Sequence, residues 1–349
     1  VSPTLKPQLV SCCPFTSVYH FSFLTMIKRV ILGAFLCSLL FLCSCSPGEL
    51  LEQVTGRSGA DNYQPASPPA PTRAPAKRVY MDEINGPLVD FDGRFLTLQG
   101  EEEPYTFDLL DATIIETNTS GPESQSERTT NEKHKKLLEE HGWTKVFKKV
   151  EILDSEQPDE ELDIPNGILL KKNYIGNKTK NFDGFLVLSH FKGHGMGGFG
   201  GALKQLSIGF GSRFGKTLMH SAGKNGDPEK FWENICPDKE FKEAMADCAY
   251  SVVNKFKGKI VFINVMKNIS IDCDCDGNAK PPCMKDIGIL ASTDPVAIDK
   301  ACLDLIYKSD DPGKKELIER IEKKLGPHII ECSVQLGTGS SDYELINVD

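Results

Sequence analysis

From residue 111 to residue 325, short apolar runs alternate with longer segments whose apolar residues recur at helical spacing. Strands that alternate with helices in this way imply a mostly parallel sheet whose two faces are covered by the connecting helices. Strands are predicted at 111–116, 145–153, 182–188, 259–265 and 287–290. Helices are predicted at 130–140, closed by Gly142, near 202–206, at 239–256 with Phe241, Met245, Val252 and Phe256 on one face, and at 314–325. Asp294-Pro295 marks a further helix start, with Asp as cap and Pro in the first turn, running to about residue 307. The fold class is therefore α/β, a mostly parallel sheet flanked by helices. In such folds ligands bind where the carboxyl ends of strands pass into loops.

The 349 residues allow two domains or one large α/β unit with appendages. With 40% hydrophobic and 26% charged residues the chain can bury a substantial core. Forty basic against 49 acidic side chains give a net charge of −9, which offers no general attraction for nucleic-acid phosphates.

The beginning of the chain has its own organisation. Residues 26–45 read as a signal segment, with Lys28 and Arg29 ahead of an apolar run at 30–42 that is short for a bilayer span. It ends in Leu42-Cys43-Ser44-Cys45, which resembles a bacterial lipobox and makes Cys45 the residue to be lipidated. A plain signal peptide or an uncleaved anchor is the other reading. Residues 1–25 are set aside as an over-extended start, 46–77 form a Pro-rich tether, and 78–349 form the folded α/β domain. This organisation predicts a lipoprotein of the cell envelope, held to a membrane and facing the periplasm or the exterior.

Two loops stand out. The first, 189–201, is rich in glycine, follows a predicted strand and precedes a helix, a place where oxyanions meet free N–H groups. No Asp or Glu occurs between Asp183 and Asp227, whereas Lys192, Lys204, Arg213, Lys216 and Lys224 do. An anionic small molecule is the expected ligand, with Lys192, Gly195, Gly197, Gly198, Gly200 and Lys204 as candidate contacts. Gly195, Gly197 and Gly200 also spell a dinucleotide fingerprint, but His220 stands where a ribose-binding acid belongs. A closely packed turn with solvated lysines is the plainer reading of the same residues. His190, His194 and His220 are candidate metal ligands or proton carriers.

The second loop is Asp272-Cys273-Asp274-Cys275-Asp276-Gly277, with Cys283 beyond Pro281 and Pro282. In an extended backbone Cys273 and Cys275 share one face and the three carboxylates the other. Thiolates here, with Cys283 or a histidine, suit zinc, iron or part of an iron–sulfur cluster. Asp272 and Asp274 join the candidate ligands. The carboxylates also match the front half of a calcium loop, although Cys283 stands where a bidentate Glu belongs. In an oxidising compartment Cys273 with Cys283, or Cys236 with Cys248, would instead form disulfides. The seven cysteines after Cys45 are an odd number, so at least one stays free or metal-bound.

Taken together, Glu116-Thr117-Asn118-Thr119, Leu188-Ser189-His190-Phe191-Lys192-Gly193-His194, Gly200-Gly201-Ala202-Leu203-Lys204, His220-Ser221-Ala222, Asp272-Cys273-Asp274-Cys275 and the stretch 286–299 resemble a bacterial and archaeal family, domain of unknown function 362. The resemblance runs from about residue 115 onward and implies an α/β fold with a metal or iron–sulfur association. It also places Asn118 among the ligand contacts. Many members of that family carry a ferredoxin-like insert after the His-Ser-Ala element; here that place holds only residues 223–239, with the single Cys236. Electron transfer through such a module is therefore not implied. The leading functional reading is a metal or iron–sulfur centre shared by the two loops, serving redox or metal-assisted chemistry on an anionic ligand. A non-catalytic binder of a phosphorylated or carboxylated molecule, and a structural lipoprotein with disulfides or bound calcium, are the alternatives.

Overall fold

The computed structural model describes residues 8–10, 77–82, 89–91, 95–98, 105–108, 113–119, 128–147, 149–182, 184–276 and 278–347. The signal segment, Cys45 and the proline-rich stretch up to residue 76 lie outside the described residues. An eight-stranded sheet forms the centre: β1 (Gln8–Val10), β2 (Lys77–Asp82), β3 (Thr113–Glu116), β4 (Lys149–Ile152), β5 (Phe185–His190), β6 (Ile260–Met266), β7 (Gly288–Ser292) and β8 (Tyr343–Asn347). Their spatial order is β8-β2-β7-β6-β5-β1-β3-β4. All are parallel except β7, which runs against both β6 and β2. The predicted α/β class and mostly parallel sheet are observed.

Among the described residues, six helices have eight or more residues: α1 (Asn131–Glu140), α2 (Arg213–His220), α3 (Asp238–Lys255), α4 (Pro295–Lys308), α5 (Lys314–Lys323) and α6 (His328–Leu336). Their ends follow from sequence. Thr130 caps α1 by accepting from the Lys133 N–H, and Asp294 caps α4 by accepting from Val296 and Ala297. Every residue of β5 is buried, as a strand covered on both faces requires. Phe185 stands edge-on to Phe210 and to Phe256, with ring centroids 4.9 and 4.7 Å apart. Among the described residues no helix is long and apolar enough to cross a membrane.

Several boundaries differ from the sequence reading. The strand expected from residue 145 begins at Lys149, because Trp143–Val146 forms one more helical turn that buries Trp143. The segment 1–25, set aside from the fold, contributes β1, which lies between β5 and β3. The helix expected after the glycine loop is only Ala202–Lys204, followed by a wider π-type turn, Gln205–Gly209. Its first N–H groups are also already engaged. Asp299 of α4, fully buried, accepts from Ala202 at 2.7 Å and Leu203 at 2.9 Å, and from the Asn264 amide at 2.7 Å. Burial pushes this carboxyl up to about 6 against those bonds. Gly201 is required beside it, since a Cβ there would collide with the Asp299 carboxylate. We expect Asp299→Ala, which strands three buried donors, to lower stability by about 3 kcal/mol or more. An unchanged denaturation midpoint would show that water replaces the carboxylate without cost.

Candidate metal centre

The two loops leave neighbouring strands at the same rim. β5 ends at His190, paired with Val265 near the end of β6. The glycine-rich stretch then folds back on itself as an antiparallel hairpin, Lys192–His194 against Gly198–Gly200. After β6 the chain turns outward, and the Gly193 N–H donates to the Ser270 carbonyl at 2.8 Å. The approach is so close that a Cβ on Gly193 would overlap the Ile271 carbonyl oxygen. This contact sets the thiol loop against the hairpin. We therefore expect Gly193→Ala to force the loops apart and weaken metal binding at least about tenfold. Parent-like metal affinity in that variant would mean that the contact does not position the centre.

One atom from each of His194, Cys273 and Cys275 lies within 4.8 Å of the others; His194 and Cys273 are buried and Cys275 is exposed. Cys273 and Cys275 do point to the same place, although by a turn closed from Asp276 N–H to Cys273 carbonyl rather than by an extended backbone. Two thiolates and an imidazole suit zinc or ferrous iron. Ligand atoms around such an ion stand about 3.7 Å apart, so a small inward movement completes three corners of a tetrahedron. Among the described residues no fourth His, Cys, Asp or Glu joins this group. The trio fits a single ion with an open position; a cluster needing four protein ligands would require one that the described residues do not bring here. His194 Nδ1 accepts from the Met196 and Gly197 N–H groups at 3.1 and 2.8 Å, so the neutral ring carries its proton on Nε2. A neutral ring could take a metal only by giving up these bonds: either the metal replaces the two N–H groups at Nδ1, or the proton moves to Nδ1 and leaves Nε2 as the donor atom.

The other sequence-predicted ligands have different partners. Asp274 accepts from Lys192 Nζ at 2.9 Å and lies 2.8 Å from His190 Nδ1, and His190 Nε2 lies 2.8 Å from the Lys267 carbonyl. His190 and Asp274 thus clamp the base of the thiol loop to β5. Asp272 pairs with Arg320 of α5 at 2.9 Å, and Asp276 accepts from the Asn278 N–H. The three carboxylates therefore face three directions, which corrects the calcium-loop alternative. Cys283 lies outside the trio with its thiol 3.3 Å from the Ile269 carbonyl, pushed up by burial. No disulfide joins any of the seven described cysteines, so neither Cys273–Cys283 nor Cys236–Cys248 is bonded. Cys248 sits in a small apolar cluster with Ile164, Leu170, Met219 and Ala244.

His220 lies tilted against both Phe231 and Phe241, with ring centroids 4.8 and 4.5 Å away, and donates from Nδ1 to the Lys216 carbonyl at 2.6 Å. Burial holds it down to about 3, with His194, Lys204 and Lys216 adding to the effect. It borders the centre without joining the trio.

The anion-binding expectation changes its physical basis. The loop glycines do not form a cradle of free N–H groups: the Gly197 N–H goes to His194, Gly198 serves the hairpin turn at φ +82°, and a Cβ on Gly195 would touch nothing within 4 Å. Gly200 instead lies against two lysine stems, its Cβ position 3.6 Å from both Lys192 Cε and Lys204 Cδ. These lysines are 5% and 9% exposed, side by side next to the trio. Asn118 is in a separate polar cluster beyond β3, linked to this site through α2, which carries both Lys216 and His220.

Arg320, Asp299 and the Lys216 cluster were not anticipated from sequence. A basic residue in an amphipathic helix and an acid one turn into another gave no signal of what they would meet; only the Asp-free interval around Lys216 hinted at its burial. Residues 109–304 match a family model described as Domain of unknown function (DUF362). A search of curated proteins finds no match.

Proposed function

The chain belongs to this family, and from that premise we propose that it is a metal-centre protein acting on an anionic ligand. Cys273, Cys275 and His194 hold one zinc or iron ion, and the ligand takes the remaining coordination position with its charge against Lys192 and Lys204. When bound, the ion supplies Lewis-acid or one-electron chemistry. The protein supplies two buried ammonium groups, that of Lys192 shared with Asp274 at 2.9 Å, and their attraction for an anion is strengthened by exclusion of water. The observation that carries the reading is the convergence of a histidine and two thiols from separate loops at the carboxyl rim of parallel strands. That rim is where the ligands of such folds bind.

We further propose that Cys45 anchors the protein to a membrane of the cell envelope through lipid, with residues 46–77 as tether. A chain cleaved at Cys45 lacks β1, so the mass of the mature N-terminus tests this reading directly.

Elemental analysis of protein purified without oxygen tests the centre: about one zinc or iron per chain is expected, and absence of both overturns the reading. Lys192→Ala should weaken oxalate binding about tenfold, the worth of about 1.4 kcal/mol, while leaving metal content intact. Unchanged oxalate affinity would remove Lys192 from the ligand site.

A further inference from the structure

A second constellation lies past the carboxyl end of β3, and its histidine has a lone pair that no described residue meets. A chain of amides fixes that ring. Asn131 donates to the Ser155 carbonyl at 3.4 Å and accepts from the Asn118 side-chain amide at 2.6 Å. Asn118 Oδ1 is therefore an acceptor, and His134 Nδ1, 3.2 Å away, has to donate to it. The neutral ring then carries an unprotonated Nε2. This atom is buried and has no hydrogen-bond partner among the described residues, in a side chain that is 0% exposed.

The surroundings say what could meet it. Arg128 and Lys216 are both buried and lie near enough that, after burial itself, their charges help hold His134 down to about 2. Lys216 donates to Thr117 Oγ1 at 2.6 Å and to the Asn118 carbonyl. Asp154 is the acid of the cluster, accepting from the Asn118 N–H at 3.0 Å and the Arg213 N–H at 3.2 Å and facing Lys216. Two buried cations near enough to act on the ring disfavour a metal ion at Nε2. A partner for this atom has to offer a proton to Nε2 and negative charge to Arg128 and Lys216. Sulfate and carboxylates have no proton to offer at neutral pH, and a phosphate monoester has lost most of its second one, whereas inorganic phosphate keeps a P–OH beside P–O⁻ on one centre.

We infer that Asn118, Arg128, His134 and Lys216 form a second, metal-free site for a protonated phosphate group, its P–OH donating to His134 Nε2 and its anionic oxygens facing the two cations. The site is distinct from the metal centre, from which it is reached along α2.

Calorimetry on the metal-loaded protein at pH 7, with inorganic phosphate and with sulfate as probes, tests the inference. Phosphate is expected to bind at least about tenfold more tightly than sulfate, the equivalent of about 1.4 kcal/mol. His134→Leu should abolish that preference, and Lys192→Ala should leave it. Equal binding of the two anions by the parent, or binding of neither, overturns the proposal without any variant and covers the case in which a water occupies the position. Preference that survives His134→Leu, or that disappears in Lys192→Ala, overturns it by moving phosphate to the hairpin. A crystal soaked in phosphate gives a readout that does not depend on the His134 variant folding, and density beside His134 is the expected result. Metal content is measured alongside and stays constant throughout, so failure here and failure of the metal reading are told apart.

Discussion

Protein carrying Cys273→Ser together with Cys275→Ser is expected to purify with less than about a tenth of the parent's metal. The hydroxyl of serine keeps its proton at neutral pH, so the variant replaces two anionic soft ligands with weak neutral ones and leaves His194 alone. The fold should persist. Cys275 is exposed, and Cys273, although buried, is held in a turn whose bond runs through the backbone. The loop is otherwise fixed by Asp274 on His190 and Lys192 and by Asp272 on Arg320, none of which the substitutions touch. Circular dichroism should match the parent while elemental analysis does not. Equal metal in both proteins would place the ion elsewhere and leave the trio a chance approach of polar side chains.

Acid should destabilise the protein well before most carboxylates protonate. His134 and His220 ordinarily titrate near 6.5 and are held down to about 2 and about 3 in the folded chain, chiefly by burial. Between those values the unfolded chain binds more protons, so their contribution is complete above about pH 6.5 and falls as the pH drops toward the folded values. At about 1.4 kcal/mol per unit, the two together remove about 7 kcal/mol by pH 4, comparable to the whole stability of a typical domain. Asp299 acts in the opposite sense. Its carboxyl is raised from 3.8 to about 6, so its contribution is lost as pH rises through that interval and offsets part of the histidine effect near pH 5. Urea midpoints measured from pH 7.5 downward should drop steeply below 6.5. Level midpoints, or imidazole resonances of both residues titrating near 6.5, would refute this account.

Much of the frame was legible because local rules decide it. The apolar run of β5, the Asp294-Pro295 start of α4 and the Gly142 stop after α1 each have one cheap local solution, and the structure adopts it. The convergence of Cys273 and Cys275 with His194 also followed from where loops leave a parallel sheet. What sequence could not reveal were meetings between distant side chains. The glycines looked like an oxyanion cradle because nothing local announces that Asp299, nearly a hundred positions later, fills that role. The three aspartates of the thiol loop looked like calcium ligands until Arg320, His190 and Lys192 were seen to claim two of them. The reversal of β7 was equally hidden, since a buried strand has the same composition in either direction.

The direction of β2 has one more implication. It runs parallel to β6, and Lys77 is its first residue, with its N–H bonded to the Asp342 carbonyl just before β8. Chain arriving from the N-terminal side thus joins the sheet at the opposite end of the strands from His194 and the thiols, about 20 Å away along six residues. Whatever holds the chain just ahead of Lys77 would therefore meet the back of the molecule, with the cysteines at the far rim.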